Sequence, residues 1–265
     1  MLQSIIRSGH FHIDTVYGTS IGAILAPLIS VENIDKIVGI FNNINTIYDV
    51  VQRRSFCGIP YPNWQIVMAL TSFLQMGVYE KIGIVDTMLS KMTTAEITLA
   101  KTKCHVVAFD ILNNKEQWFT GNELEKGIEC SSALWLAVPP ISYNNTLFSD
   151  GGVTEVFPVT YILDHDNNVP FDGVYIFIDC DSRETYTNPV PSDGLTLMSM
   201  LQWSATTRLA DYELQKLQTT LNDKLYMIRP TKNILSGALD INPERMKATF
   251  DAGVIAGNTF VSKFV

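Results

Sequence analysis

Five residues near the start of the chain, Gly18-Thr19-Ser20-Ile21-Gly22, restrict the possible folds more than any other feature. They read G-x-S-x-G and stand between the strand formers Ile13, Thr15, Val16 and Tyr17 and an apolar, helix-like stretch from Ser20 to Ser30. A serine on a sharp strand-to-helix turn presents its hydroxyl at a helix N-terminus, where free N–H groups and the helix dipole favour negative charge. Gly18 and Gly22 remove side chains expected to clash in such a turn, and the Ile21 N–H is placed to donate to an oxyanion. The plainer alternative is a Ser/Thr helix cap beside a glycine turn. The position of the motif is itself restrictive. The usual α/β-hydrolase threads several strands before its nucleophile, and twenty residues cannot hold them. A topology with the serine after an early strand is required.

Along the rest of the chain, strand and helix signals alternate. Short helical patterns cover Met1 to Ser8 and Val31 to Asn43, a strand covers His12 to Tyr17, and a loop surrounds Pro60 and Pro62. Trp64 to Met76 is apolar nearly all round, as in a buried helix or an interfacial lid. Tyr79 to Lys91 and Thr94 to Lys101 read as helices, and Lys103 to Asp110 with Glu116 to Thr120 as a hairpin turning at Asn113-Asn114. Phe171 to Asp179 and Lys224 to Ile228 are strand candidates. Leu195 to Leu221 and Pro243 to Phe264 read as long helices, the second with Asn242 as N-cap. The pattern predicts one α/β domain over residues 1–265, three-layered, with a central, largely parallel sheet.

Composition narrows the function. With 46% hydrophobic and 17% charged residues and a mean hydropathy of +0.13, the chain has ample apolar surface for a core. Acidic residues outnumber basic ones 27 to 19, a net charge of −8, with no basic run beyond Arg53-Arg54, which argues against a nucleic-acid-binding face, and no nucleic-acid partner is expected. The stretch from Ile21 to Ile29 is too short to span a bilayer and contains Pro27, and the N-terminus lacks the marks of a secretory signal. An intracellular protein, cytoplasmic or peripheral to a membrane, is expected. Cys57, Cys104, Cys130 and Cys180 form no C-x-x-C pair, and His10, His12, His105 and His165 show no ligand spacing. No metal, cofactor or disulfide framework is expected.

A serine needs a base, and Asp150-Gly151-Gly152 is the second glycine-flanked candidate. An aspartate on a Gly-Gly turn can approach a partner closely, and partial burial raises its pKa toward working pH. Together with Tyr17 to Ile24, Val106 to Asp110, Ser131-Ser132-Ala133, Val138-Pro139-Pro140 and Phe157-Pro158-Val159, these motifs resemble the patatin-like phospholipase family over most of the chain. The resemblance implies a patatin-like fold and a lipid acyl hydrolase with a lipid ester, such as a phospholipid, as substrate. It assigns Ser20 as nucleophile and Asp150 as general base, without a cofactor and with peripheral membrane contact. The family carries a G-G-G-x-x-G oxyanion loop on a strand before the nucleophile. Here only Gly9 precedes Gly18, so the resemblance implies a domain lacking that strand and loop. The family's Asn two residues before the proline is Val156 here. Two other readings remain open at this level. One is a Ser20-Asp150-His165 triad, and the other is a patatin-like scaffold that binds lipid or protein without turnover.

Overall fold

A computed structural model describes residues 1–31, 34–52, 55–56, 59–60, 76–77, 79–90, 92, 96, 100–135, 137–166, 173–180, 194–232 and 242–265. The expected helix from Trp64 lies outside the described residues up to Met76, as do Pro62, Cys57 and most of Thr94 to Lys101. The chain divides into two compact units, Ile13–Pro158 and Met1–His12 with Val159–Val265.

In the first unit, β1 (Thr15–Thr19) leads into α2 (Ile21–Ser30); α1 (Leu2–Ser8) belongs to the other unit. α3 (Ile34–Asn42), the short pair β2 (Ser55–Phe56) and β3 (Ile59–Pro60), and α4 (Gly83–Leu89) precede the central strand β4 (Lys103–Asp110). β5 (Lys115–Phe119), α5 (Leu124–Ser131), β6 (Ile141–Tyr143) and β7 (Thr146–Asp150) complete the unit. β1 runs past the expected end at Tyr17 because its parallel pairing with β4 continues to Thr19 opposite Val107. α4 is shorter than expected. The Gln52 N–H donates to Lys81 O and the Glu80 N–H to Gln52 O, both at 2.9 Å, so residues 80–81 bridge to Gln52 and do not join the helix.

The sheet is mixed. The core pairing β1/β4 is parallel, as expected of an α/β fold, whereas β5 and β7 pair antiparallel to β4 and β6 antiparallel to β7. For β4–β5 and β6–β7 the antiparallel pairing follows from connection length, because tight turns can only reverse the chain. Asn114 (φ 52°) lies in the β4–β5 turn, and Asn144 and Asn145 (φ 47° and 60°) form the β6–β7 turn. Two successive positive φ angles are those of a tight hairpin turn whose twist matches its strands.

β4 is buried from Cys104 to Ala108. On one face, Val106 and its cross-strand partner Phe119 pack under α5, with Phe148 edge-on to Phe119 at 5.5 Å. On the other, Tyr17 stacks on His105 at 5.4 Å and meets Trp118 edge-on at 6.2 Å. α2 and α5 lie against β4 and against each other.

In the second unit, Val159–Tyr161 and a π-helical turn, Ile162–Asp166, precede β8 (Tyr175–Ile178), α6 (Gly194–Leu221), β9 (Leu225–Ile228) and α7 (Pro243–Val261). The polar segment Asp164-His165-Asp166 is thus helical in its backbone, though the His165 side chain is outside the described residues. β8 and β9 pair in parallel, and the Asn242 side chain caps α7 by accepting from the Arg245 N–H at 3.0 Å. Phe11, Tyr226, Phe260 and Phe264 form one aromatic cluster.

Gly127 fixes how closely α5 approaches the sheet. A Cβ there would lie 2.3 Å from Phe119 Cβ and 2.8 Å from Val106 Cγ2. Gly127→Ala gains helix propensity of about 1 kcal/mol but overpacks a closed core at about 1–3 kcal/mol or more. A lowered urea-unfolding midpoint is expected; an unchanged or raised one would contradict this packing.

Candidate active site

The register on β4 explains how two residues 130 apart in sequence come together. β5 pairs with Val106 through Asp110 and occupies one edge of β4. β1 shares Val106 and Val107 with β5, and β7 shares Ala108 through Asp110, so both must use the opposite edge. They run toward each other along it. β1 leaves at Thr19, opposite Val107, and β7 leaves at Asp150, opposite the next residue, Ala108. The turn after each strand therefore starts at the same point of the sheet.

Ser20 occupies the first turn with φ 56° and ψ −120°. For a non-glycine residue this backbone costs on the order of 1–3 kcal/mol and persists only where its surroundings enforce it. Gly18 makes it possible, since a Cβ there would lie 2.4 Å from Gly22 O and 2.7 Å from Ala23 Cα. The Ser20 side chain makes no capping bond to α2. Its Oγ donates instead to Asp150 Oδ2 at 2.5 Å, a length typical of a hydroxyl bound to a carboxylate. The Ser20 N–H donates to Ser131 Oγ at 3.0 Å.

Asp150 is 4% exposed, and Gly151 sits so close to β4 that a Cβ would lie 2.4 Å from Val107 O. Asp150 Oδ1 accepts from the Gly152 N–H at 2.8 Å, and the Asp150 N–H donates to Ala133 O at 3.0 Å. Burial pushes this carboxyl up to about 6, against the lowering effect of its bonds from Ser20 and Gly152. Near neutrality it is largely ionised yet basic enough to take a proton, which suits a general base. Because Ser20 contacts Asp150 directly, no imidazole lies between them as a Ser-His-Asp relay would need.

The structure thus brings together Ser20, Asp150, Gly18, Ile21, Gly151 and Gly152. Ile21 begins α2, whose first N–H groups have no intrahelical acceptor and can serve an oxyanion. Gly22 departs from expectation. A Cβ there meets nothing within 4 Å, so its side-chain space is open and only Gly18 of the pair is sterically required. Ser131-Ser132-Ala133 belongs to the segments that carry the family resemblance, but no role was legible there for Ser131, whose Oγ accepts from the Ser20 N–H, or for Ala133, whose carbonyl accepts from the Asp150 N–H. Among the described residues, no group of three or more His, Cys, Asp or Glu could hold a metal ion.

Two expected outcomes follow from this geometry. Gly18→Ala forces backbone apart and should destabilise by about 2–4 kcal/mol, whereas Gly22→Ala, in open helix, should be neutral or raise stability by up to about 1 kcal/mol. Thermal unfolding of the two variants checks the contrast. Asp150 titrates above its ordinary value of 3.8 when folded, so the folded chain holds the proton more tightly than the unfolded one. The stabilisation from that proton is full below pH 3.8 and is lost as the pH rises through about 6. Asp150→Asn, neutral at every pH, should therefore raise stability at pH 8 by on the order of 2 kcal/mol and give little gain at pH 4. A variant less stable than the parent at pH 8 would refute this account of the buried carboxylate.

A family model for patatin-like phospholipases matches residues 8–163. A search of curated proteins finds no match to this sequence. Among solved structures, VipD from Legionella pneumophila is similar with a TM-score of 0.46 and 11% identity, covering 99% of this chain and 63% of that one. The chain thus spans under two thirds of the length of VipD in that structure. The family match takes in more than half of the sequence and includes both Ser20 and Asp150, and on it the chain belongs to the patatin-like phospholipase family.

Proposed function

We propose that the chain is a lipid acyl hydrolase, of phospholipase A or lipid-esterase type, acting through a Ser20-Asp150 dyad and an acyl-enzyme. The observation that carries this reading is the 2.5 Å bond from Ser20 Oγ to Asp150 Oδ2. Ser20 attacks the ester carbonyl as Asp150 accepts its proton, and the developing oxyanion is met by the Ile21 N–H at the start of α2. Asp150 then protonates the departing alcohol or lysolipid. Water enters and gives a proton to the same carboxylate as it attacks the acyl carbon, and Asp150 returns that proton to Ser20 Oγ as the acyl–oxygen bond breaks and the fatty acid leaves. Neither half of the cycle calls for a metal or cofactor.

Family membership supports a lipid ester as the substrate. Ile21, Trp135 and Val153, each within three residues of Ser20, Ala133 or Asp150, are exposed at 43%, 44% and 44%. Given a net charge of −8, contact with a lipid surface would rest on such local apolar groups and not on general attraction to anionic headgroups. No helix among the described residues is long and apolar enough to cross a membrane.

The test uses a fluorophosphonate probe, which reports an activated serine whatever the natural ester. The parent chain should label, Ser20→Ala should not, and Asp150→Asn should label at least about 10²-fold more slowly. Because the base must be ionised, labelling and kcat/KM on a soluble ester should rise through about pH 6 and level off above it. Labelling that survives in Ser20→Ala would overturn the assignment.

A further inference from the structure

We infer that Ser131 is a positioning residue for the reaction, holding the Ser20 backbone at its strained turn while the adjoining segment holds Asp150. The inference rests on the reading of Ser20 and Asp150 as the reacting pair. It deepens that reading by naming what sets their separation.

Ser131 ends α5 and is 0% exposed. Its Oγ accepts the Ser20 N–H at 3.0 Å, just where β1 leaves the sheet. Two residues on, Ala133 O accepts both the Asp150 N–H at 3.0 Å and Ser149 Oγ at 3.1 Å. Between them Ser132 Oγ donates to Ile128 O at 2.7 Å, closing the last turn of α5 on itself. A single short segment therefore holds the backbone of one partner and the backbone of the other.

That segment is itself immobilised. α5 is seated on Phe119 and Val106 with only the space of Gly127 between, so Ser131 cannot follow Ser20 if the turn drifts. The φ of 56° at Ser20 stores backbone strain that relaxes unless opposed, and the bond from Ser20 N–H to Ser131 opposes it. Removing the hydroxyl leaves the Ser20 backbone donor without its acceptor beside the fully buried Ser131. The expected response is movement of Ser20 away from Asp150. A displacement of about 1 Å between reacting groups is enough to cost on the order of 10²-fold in rate.

The 265-residue parent and its Ser131→Ala, Ser131→Thr and Ser132→Ala variants are compared in steady-state hydrolysis of a soluble ester across about pH 4–9. Ser131→Ala is expected to lower kcat by about 10- to 100-fold with KM changed less than about twofold. Its acid limb should also move upward by about half a unit or more, because Asp150 loses the bond from Ser20 that lowers its pKa. Ser131→Thr keeps the acceptor oxygen and should recover most of kcat. Ser132→Ala removes a hydroxyl from the same turn that bonds only within α5, and should lower thermal stability without moving the acid limb. The inference is overturned if Ser131→Ala leaves both kcat and the acid limb where they were, or if Ser132→Ala shifts the limb equally. As a readout independent of turnover, the Asp150 carboxyl is titrated by 13C NMR in parent and Ser131→Ala. An upward shift supports the inference and an unmoved carboxyl overturns it. Absence of Ser20-dependent turnover in the parent would instead remove the proposed activity, and the titration would still decide the positioning.

Discussion

One edge of one strand organises this protein's chemistry. β4 offers consecutive residues, Val107 and Ala108, to two strands arriving from opposite directions. Backbone pairing advances only in whole-residue steps, so neither strand can slide by a fraction to relieve strain at its end. The left-handed backbone at Ser20, the close seat of Gly151 on Val107 and the short Ser20–Asp150 bond are all held against that fixed reference.

What the sequence disclosed about this arrangement was uneven, and the division is physical. Gly18 and Ser20 are legible because a strand-to-helix turn with a left-handed serine demands a missing side chain nearby, and the Gly-Gly after Asp150 is legible for a similar reason at position 151. The β4–β5 hairpin and the Asn242 cap follow from local chemistry and could be read locally. α5 could not. Leu124 to Ser131 mixes charges with a mid-helix glycine, and its stability comes from contacts with Phe119 and Val106 that are distant in sequence or on another element. The β6–β7 hairpin escaped notice because β6 is only three residues long, although the Asn144-Asn145 pair carried its turn signal. Gly22 shows the opposite error, where a motif position invited a steric explanation that the surrounding space does not support.

Two buried aspartates on the same sheet show how finely proton affinity depends on donors. Asp110 is 3% exposed, and although burial pushes its carboxyl up, donors from Asn113, Thr146 and the backbone of Asn113 and Leu112 together hold it below the ordinary carboxylate value. Asp150 is enclosed more completely by surrounding protein and has donors only from Ser20 and Gly152, and burial prevails. The first is a structural anion tying the β4–β5 turn to β7, satisfied and chemically quiet. The second is left under-solvated, a state that favours proton uptake at a cost to the fold.

The head-to-head meeting of β1 and β7 on β4 also bears on how such a protein can diversify. The distance between Ser20 and Asp150 is measured across neighbouring rungs of one strand and not along the 130 residues of chain between them. Insertions or deletions in the surface connections, such as the turn at residues 111–114, leave those rungs untouched. Lineages are free to lengthen, shorten or replace what surrounds the pair, and so to explore new substrates, while inheriting the reacting geometry unchanged.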